Sequence, residues 1–174
     1  MELATRLCIL VTMVGLVTLS ATSSQAGPDQ IGPAPGAARK VLFMCPHGAA
    51  KSVLASAYFQ QLARERGLRV LVTSAGTEPD AAVAPAVVAH LARQGYAIPT
   101  HAPSKVTAED LAQADLVISL GCDLSGLPKP TGTLRTWDDI PSPSANLAAA
   151  DEAIRAHVIA LVDELVRQAS PAKR

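Results

Sequence analysis

The chain is expected to fold as α/β, a single domain with a central parallel sheet flanked by helices. Three observations predict this. Residues 41–44 (VLFM), 68–73 (LRVLVT) and 115–120 (DLVISL) are short, largely apolar runs closed by Gly, Pro or small polar residues, as in strands buried on both faces. Between them lie segments whose apolar residues recur at helical spacing, so strand and helix alternate. With the N-terminus set aside, about 135 residues remain, enough for one domain with a proper core.

The N-terminus reads as a targeting segment. Arg6 precedes an apolar run from Leu7 to Leu19, and small and polar residues follow to Ser24-Gln25-Ala26. This predicts a secretory signal peptide over residues 1–26, cleaved after Ala26. The run falls short of the roughly 18–20 apolar residues that span a bilayer, so no stable membrane insertion is expected after cleavage. The mature protein is expected to be secreted or periplasmic, and Cys8 leaves with the signal. Residues 27–38 (GPDQIGPAPGAA) lack apolar periodicity and read as a flexible leader, with the folded domain at 39–170.

Composition removes several function classes. Lys+Arg and Asp+Glu each number 15, the formal net charge is zero and there is no basic run, so nucleic-acid binding has no electrostatic footprint. Two cysteines remain in the domain, Cys45 and Cys122, too few for a disulfide framework; they form one bridge or stand as reactive thiols. No Cys/His spacing suggests zinc, and His90, His101 and His157 read as surface residues. No metal or cofactor is expected.

The elements follow in order. A strand over residues 40–44 leads to a helix over about 52–66, which carries Val53, Leu54, Ala57, Tyr58 and Leu62 and stops at Gly67. The strand at 68–73 precedes a loop, Ser74-Ala75-Gly76-Thr77-Glu78-Pro79. Pro85 suits the first turn of a helix ending at Gly95. Thr107-Ala108-Glu109-Asp110 resembles a capping box and opens a short helix near 111–114. After the strand at 115–120 come a Pro/Gly-rich stretch, a short edge strand near 134–137 and a loop, 138–144. A final helix over about 146–168 sets Ile154, Val158, Leu161, Val162 and Leu165 on one face.

In open parallel sheets ligands bind at the carboxyl ends of the strands. Cys45, residues 74–77, Cys122 and residues 137–143 all follow strands, so they should meet at one edge. The sequence Cys45-Pro46-His47-Gly48-Ala49-Ala50-Lys51-Ser52 is a strand end, a loop of small residues and a helix start. Backbone amides converge in such a loop and the helix dipole adds positive potential, so His47, Gly48, Ala49, Ala50, Lys51 and Ser52 are candidate phosphate-binding residues. A cysteine at the base is held as thiolate, the nucleophilic form.

The pattern Cys-x5-basic-Ser, then strand-Ser-Ala-Gly-Thr, then a Trp and a Pro-containing loop resembles the low-molecular-weight protein tyrosine phosphatases and the thioredoxin-coupled arsenate reductases that share their fold. The likeness runs from Lys40 to about Val166, and residues 74–79 resemble the reductase branch. It implies a nucleophilic role for Cys45, with Lys51 in the place of the loop arginine and Ser52 as the expected hydroxyl. Lysine is a point charge where a guanidinium binds two oxygens in one plane. Gly48 stands where the family carries Asn at a left-handed position; glycine meets the backbone need but lacks the bracing amide. Aligned on its last proline, residues 137–143 put Ser142 at the general acid's place. Aligned on Trp137 they offer Asp138 or Asp139, of which Asp139 is the candidate acid. Cys122 matches the first of two redox cysteines in the reductases, and no second follows it. It is a possible redox partner of Cys45 or a small buried strand-end residue.

The expected activity is that of an exported cysteine-nucleophile phosphatase acting on phosphomonoesters through a thiophosphoryl intermediate, with a phosphorylated substrate or oxyanion as partner. Two alternatives stay open: an arsenate reductase-like thiol redox protein using Cys45 and Cys122, and a non-catalytic phosphate- or anion-binding module.

Overall fold

The computed structural model describes residues 38–98 and 100–169. The expected signal peptide, and the expected leader up to residue 37, lie outside the described residues. Four strands and four helices follow in the order β1 (Arg39–Cys45), α1 (Lys51–Glu65), β2 (Val70–Gly76), α2 (Pro85–Arg93), α3 (Ala108–Gln113), β3 (Leu116–Ser119), β4 (Thr133–Thr136) and α4 (Leu147–Ala169).

All strand pairs are parallel, in the spatial order β2-β1-β3-β4. The chain leaves β1 for β2 on one side and returns to β3 on the other. The carboxyl end of β1 is therefore the switch point at which open α/β sheets bind ligands. The register there pairs Met44 with Ser119 and Cys45 with Gly76, which brings three separate stretches of sequence together.

Side chains along β1 alternate between two cores. Val41, Phe43 and Cys45 enter the larger one with residues of α1, α2 and α4; Leu42 and Met44 enter a smaller one with Val106, Leu111, Ala114 and Val117. The second face is thinly covered, by short α3 and by Leu124 and Leu127. The face of α4 anticipated from periodicity is buried at Ile154, Val158, Leu161, Val162 and Leu165. The αL cap at Gly67 (φ 70) forms, and Gly95 (φ 74) is left-handed as well; each follows a helix whose last carbonyls accept from the glycine and the next residue. The capping box is also present, with Asp110 N–H donating to Thr107 Oγ1 at 3.1 Å and Thr107 N–H to Asp110 Oδ2 at 2.8 Å.

The expected fully buried second strand is corrected. β2 lies at the sheet edge, where Leu71 (55 % exposed) and Thr73 face outward beyond the reach of α3, and it runs on through Gly76. His90 also departs from its surface reading. Its side chain is only 14 % exposed, and Nε2 sits 3.0 Å from Asp151 Oδ1. Tyr58 and Arg155 bond the same carboxylate, and the Arg155 guanidinium lies 3.9 Å from the Tyr58 ring centre. This network fastens α1 and α2 to α4.

Candidate active site

The loop that closes β1 is turned inside out relative to an ordinary turn. Its carbonyls point outward onto the segment after β2: Pro46 O accepts from Glu78 N–H at 2.8 Å, His47 O from Asp80 N–H at 3.0 Å, and Ala49 O from Ala84 N–H at 3.0 Å. Helix α1 then starts at Lys51 behind Ala50, which has no side chain able to cap it. Among the described residues, the N–H groups of Ala49, Ala50, Lys51 and Ser52 donate to no protein acceptor. Four adjacent donors at a helix N-terminus form a concavity suited to a tetrahedral anion.

Gly48 makes this path possible. Its φ is +61°, and a Cβ there would lie 2.8 Å from Gly76 N; a Cβ on Gly76 would lie 2.7 Å from Gly48 N. The two glycines allow the loop and the end of β2 to meet backbone to backbone. Main-chain bonds from Glu78, Asp80 and Ala84 brace the loop from outside.

Cys45 lies at the floor, 3 % exposed, with Sγ 3.2 Å from the Oγ of fully buried Ser52. Lys51 extends across the mouth, and Nζ donates to Ile140 O at 3.2 Å. A Cβ on Gly121 (φ 78) would stand 3.4 Å from the same Nζ, so the ammonium passes over the end of β3 to reach residues 137–143. Above the cysteine opens a cavity of about 480 Å³, whose polar lining includes His47, Lys51, Asp80 and Ser142.

Asp139 does not reach this cavity. Both its carboxylate oxygens contact His157 Nε2, at 3.0 and 2.9 Å, and this bond holds the carboxyl below the usual carboxylate range. His157 in turn stacks on Trp137 at 4.8 Å between ring centres, so α4 draws the first half of the loop toward itself. Ser142 lines the cavity instead, which is the arrangement obtained by aligning on the last proline. Its hydroxyl lies 2.8 Å from that of Ser144. The carboxylate that does line the cavity is Asp80, which the sequence reading passed over. Asp80 Oδ1 is 3.3 Å from His47 Nδ1. The segment after that strand carries two acidic residues, Glu78 and Asp80, and nothing in the sequence singles out the second.

Cys122 follows β3 and is half-buried, its N–H donating to Ser119 Oγ at 3.3 Å. Burial pushes its thiol up, the Ser119 hydroxyl works against this, and the neighbouring charge of Cys45 adds to the rise. Cys45 is buried and Cys122 half-buried, and no bond joins the two sulfurs in the structure.

Residues 40–127 match the family described as low molecular weight phosphotyrosine protein phosphatase. The chain belongs to this family. A Halobacterium salinarum protein provisionally named an arsenate reductase is 27 % identical over 97 residues, 55 % of this chain and 68 % of the relative. A thioredoxin-dependent arsenate reductase structure from Corynebacterium glutamicum superposes with a TM-score of 0.66 at 25 % identity, covering 79 % of this chain and 66 % of its own. This chain thus spans just under two thirds of that protein. A low molecular weight phosphotyrosine phosphatase from Vibrio cholerae superposes at 0.66 with 21 % identity, over 76 % and 99 % of the two chains, a likeness of fold. By name these relatives include both phosphatases and arsenate reductases; in this chain Lys51 is the basic residue of the loop, and Ser142 is the candidate acid position of residues 137–143 that lines the cavity.

Proposed function

We propose that this family member hydrolyses phosphomonoesters with Cys45 as nucleophile. The observation that carries the reading is the Cys45 Sγ–Ser52 Oγ contact of 3.2 Å beneath four undonated amides. The thiolate attacks phosphorus, forming a P–S bond as the ester P–O bond breaks. The amides and Lys51 stabilise charge on the transferring oxygens, and water then cleaves the thiophosphoryl group. Ser52 stabilises the thiolate each time it is released. The expected result is turnover of para-nitrophenyl phosphate by reduced protein and its loss in Cys45→Ser. Equal rates in the two proteins refute the proposal. Phosphate binding without turnover leaves the anion-binding module as the surviving alternative.

Cys122 favours a second reading, arsenate reduction. Cys45 binds arsenate through sulfur, and Cys122 thiolate attacks Cys45 Sγ. A disulfide forms, two electrons pass to arsenic and arsenite leaves. With no third cysteine in the domain, an external dithiol must then reduce the bridge directly. Arsenate-dependent oxidation of such a dithiol should vanish in Cys122→Ala; persistence at the wild-type rate rules this reading out. Export is part of the proposal, and N-terminal sequencing of protein from culture medium or periplasm should begin at Gly27.

A further inference from the structure

We infer that His47, held by Asp80, is the proton donor to the leaving group, a role that rests on the hydrolase reading. Cys45 is at the closed end of the cavity, and displacement at phosphorus runs in line. The leaving oxygen therefore lies opposite sulfur, toward the mouth. Of the side chains lining the cavity, only Cys45, His47, Lys51 and Asp80 exchange protons. Cys45 is the nucleophile, and Lys51 is bonded to Ile140 O. Asp139, expected to supply the proton, is held by His157 on α4, and Ser142 at the loop position facing the cavity is no acid at neutral pH.

His47 and Asp80 remain, at the open side, with side chains 65 % and 55 % exposed. They are tied to each other twice. Asp80 N–H donates to His47 O at 3.0 Å, and Asp80 Oδ1 approaches His47 Nδ1 at 3.3 Å. The carboxylate favours a proton on Nδ1, which leaves Nε2 as the nitrogen that gives and takes a proton; among the described residues Nε2 has no hydrogen-bond partner.

The step balances. As the P–S bond forms and the ester P–O bond breaks, the Nε2 proton passes to the leaving oxygen and the ring becomes neutral. In the second half-reaction the neutral ring takes a proton from the attacking water, and the Cys45 thiolate departs. His47 is thus a catalytic residue and Asp80 a positioning residue.

Dependence on the leaving group distinguishes this role from simple binding. Phenol, with an acidity near tyrosine's (pKa about 10), needs a proton on departure far more than nitrophenol does. The values of kcat/KM for phenyl phosphate and para-nitrophenyl phosphate are measured for wild type, His47→Asn and Asp80→Asn, with melting curves to establish folding. His47→Asn is expected to lower the phenyl phosphate value by about 100-fold or more, and at least ten times more than the nitrophenyl value. Asp80→Asn should show the same selectivity at about 10-fold. An equal loss on both substrates in His47→Asn overturns the donor role while leaving the hydrolase reading intact. A steeper selective loss in Asp80→Asn than in His47→Asn makes the carboxylate the donor and also overturns it. Absence of wild-type turnover on either ester defeats the hydrolase reading and the donor role together.

Discussion

Replacing Gly48 with alanine tests the backbone apposition on which the anion loop depends. Alanine at φ +61° costs about 1–2 kcal/mol relative to glycine. Its Cβ would stand 2.8 Å from Gly76 N and 3.1 Å from both Ala75 C and Gly76 Cα. All three are main-chain atoms, so relief requires moving the loop off the end of β2, at roughly 1–3 kcal/mol for overpacking. The stiffer unfolded chain returns about 0.4–1 kcal/mol. The net expectation is destabilisation by about 1–5 kcal/mol. Gly67→Ala separates the two costs, because Gly67 has the same sign of φ (+70°) with no atom within 4 Å of the added Cβ. Urea unfolding of both variants gives the comparison from the midpoints at unchanged slope. Gly48→Ala should lose more than Gly67→Ala, and it alone should also weaken phosphate binding. Equal losses in the two variants would show that the Gly48–Gly76 contact imposes no constraint.

Ser52→Ala removes the buried hydroxyl bonded to Cys45 Sγ and should lower turnover about 10–100-fold, the equivalent of roughly 1–3 kcal/mol; a steady-state rate within twofold of wild type contradicts the assigned role. Lys51→Met should reduce phosphate affinity about 10-fold. Trp137, the sole tryptophan, three residues before the Ile140 carbonyl that Lys51 holds, offers a fluorescence readout. Cys122 alkylation should be slow at neutral pH and faster in Cys45→Ser, since one of the causes that raise its thiol is then gone; unchanged kinetics count against the coupling. Burial raises the Asp151 carboxyl, but bonds from Tyr58, Arg155 and His90 outweigh it and leave the group below its ordinary value. Its folded-state value is therefore lower than the unfolded one, near 3.9. The stability it contributes is present above that unfolded value and is lost as pH falls through the folded one. The urea midpoint should thus drop more steeply below about pH 4 in wild type than in Asp151→Asn.

Much of the site was legible because it is contiguous. Cys45, the small-residue loop, Lys51 and Ser52 lie within eight positions, and a strand end followed by a helix start determines their mutual geometry locally. The αL glycines and the capping box were legible for the same reason. The edge position of β2 was not. A run such as LRVLVT has the composition of a buried strand, and the thin cover of its second face at the sheet edge leaves Leu71 exposed.

The acid loop shows the division most clearly. Residues 137–143 offered Asp138, Asp139 and Ser142, and the sequence favoured Asp139. The choice falls to His157, a full helical segment later, which captures Asp139 and stacks on Trp137. Asp80 enters the cavity for a related reason: its main chain is bonded to His47, more than thirty residues earlier. His90, unremarkable in sequence, is drawn into contact with Asp151 by the packing of α2 on α4. The sequence by itself determined the family fold and where the candidate nucleophile Cys45 and its loop would sit, since these depend on periodicity and on neighbours along the chain. Which carboxylate lines the cavity with Cys45 was decided only by the tertiary structure, because that depends on partners brought together from distant segments.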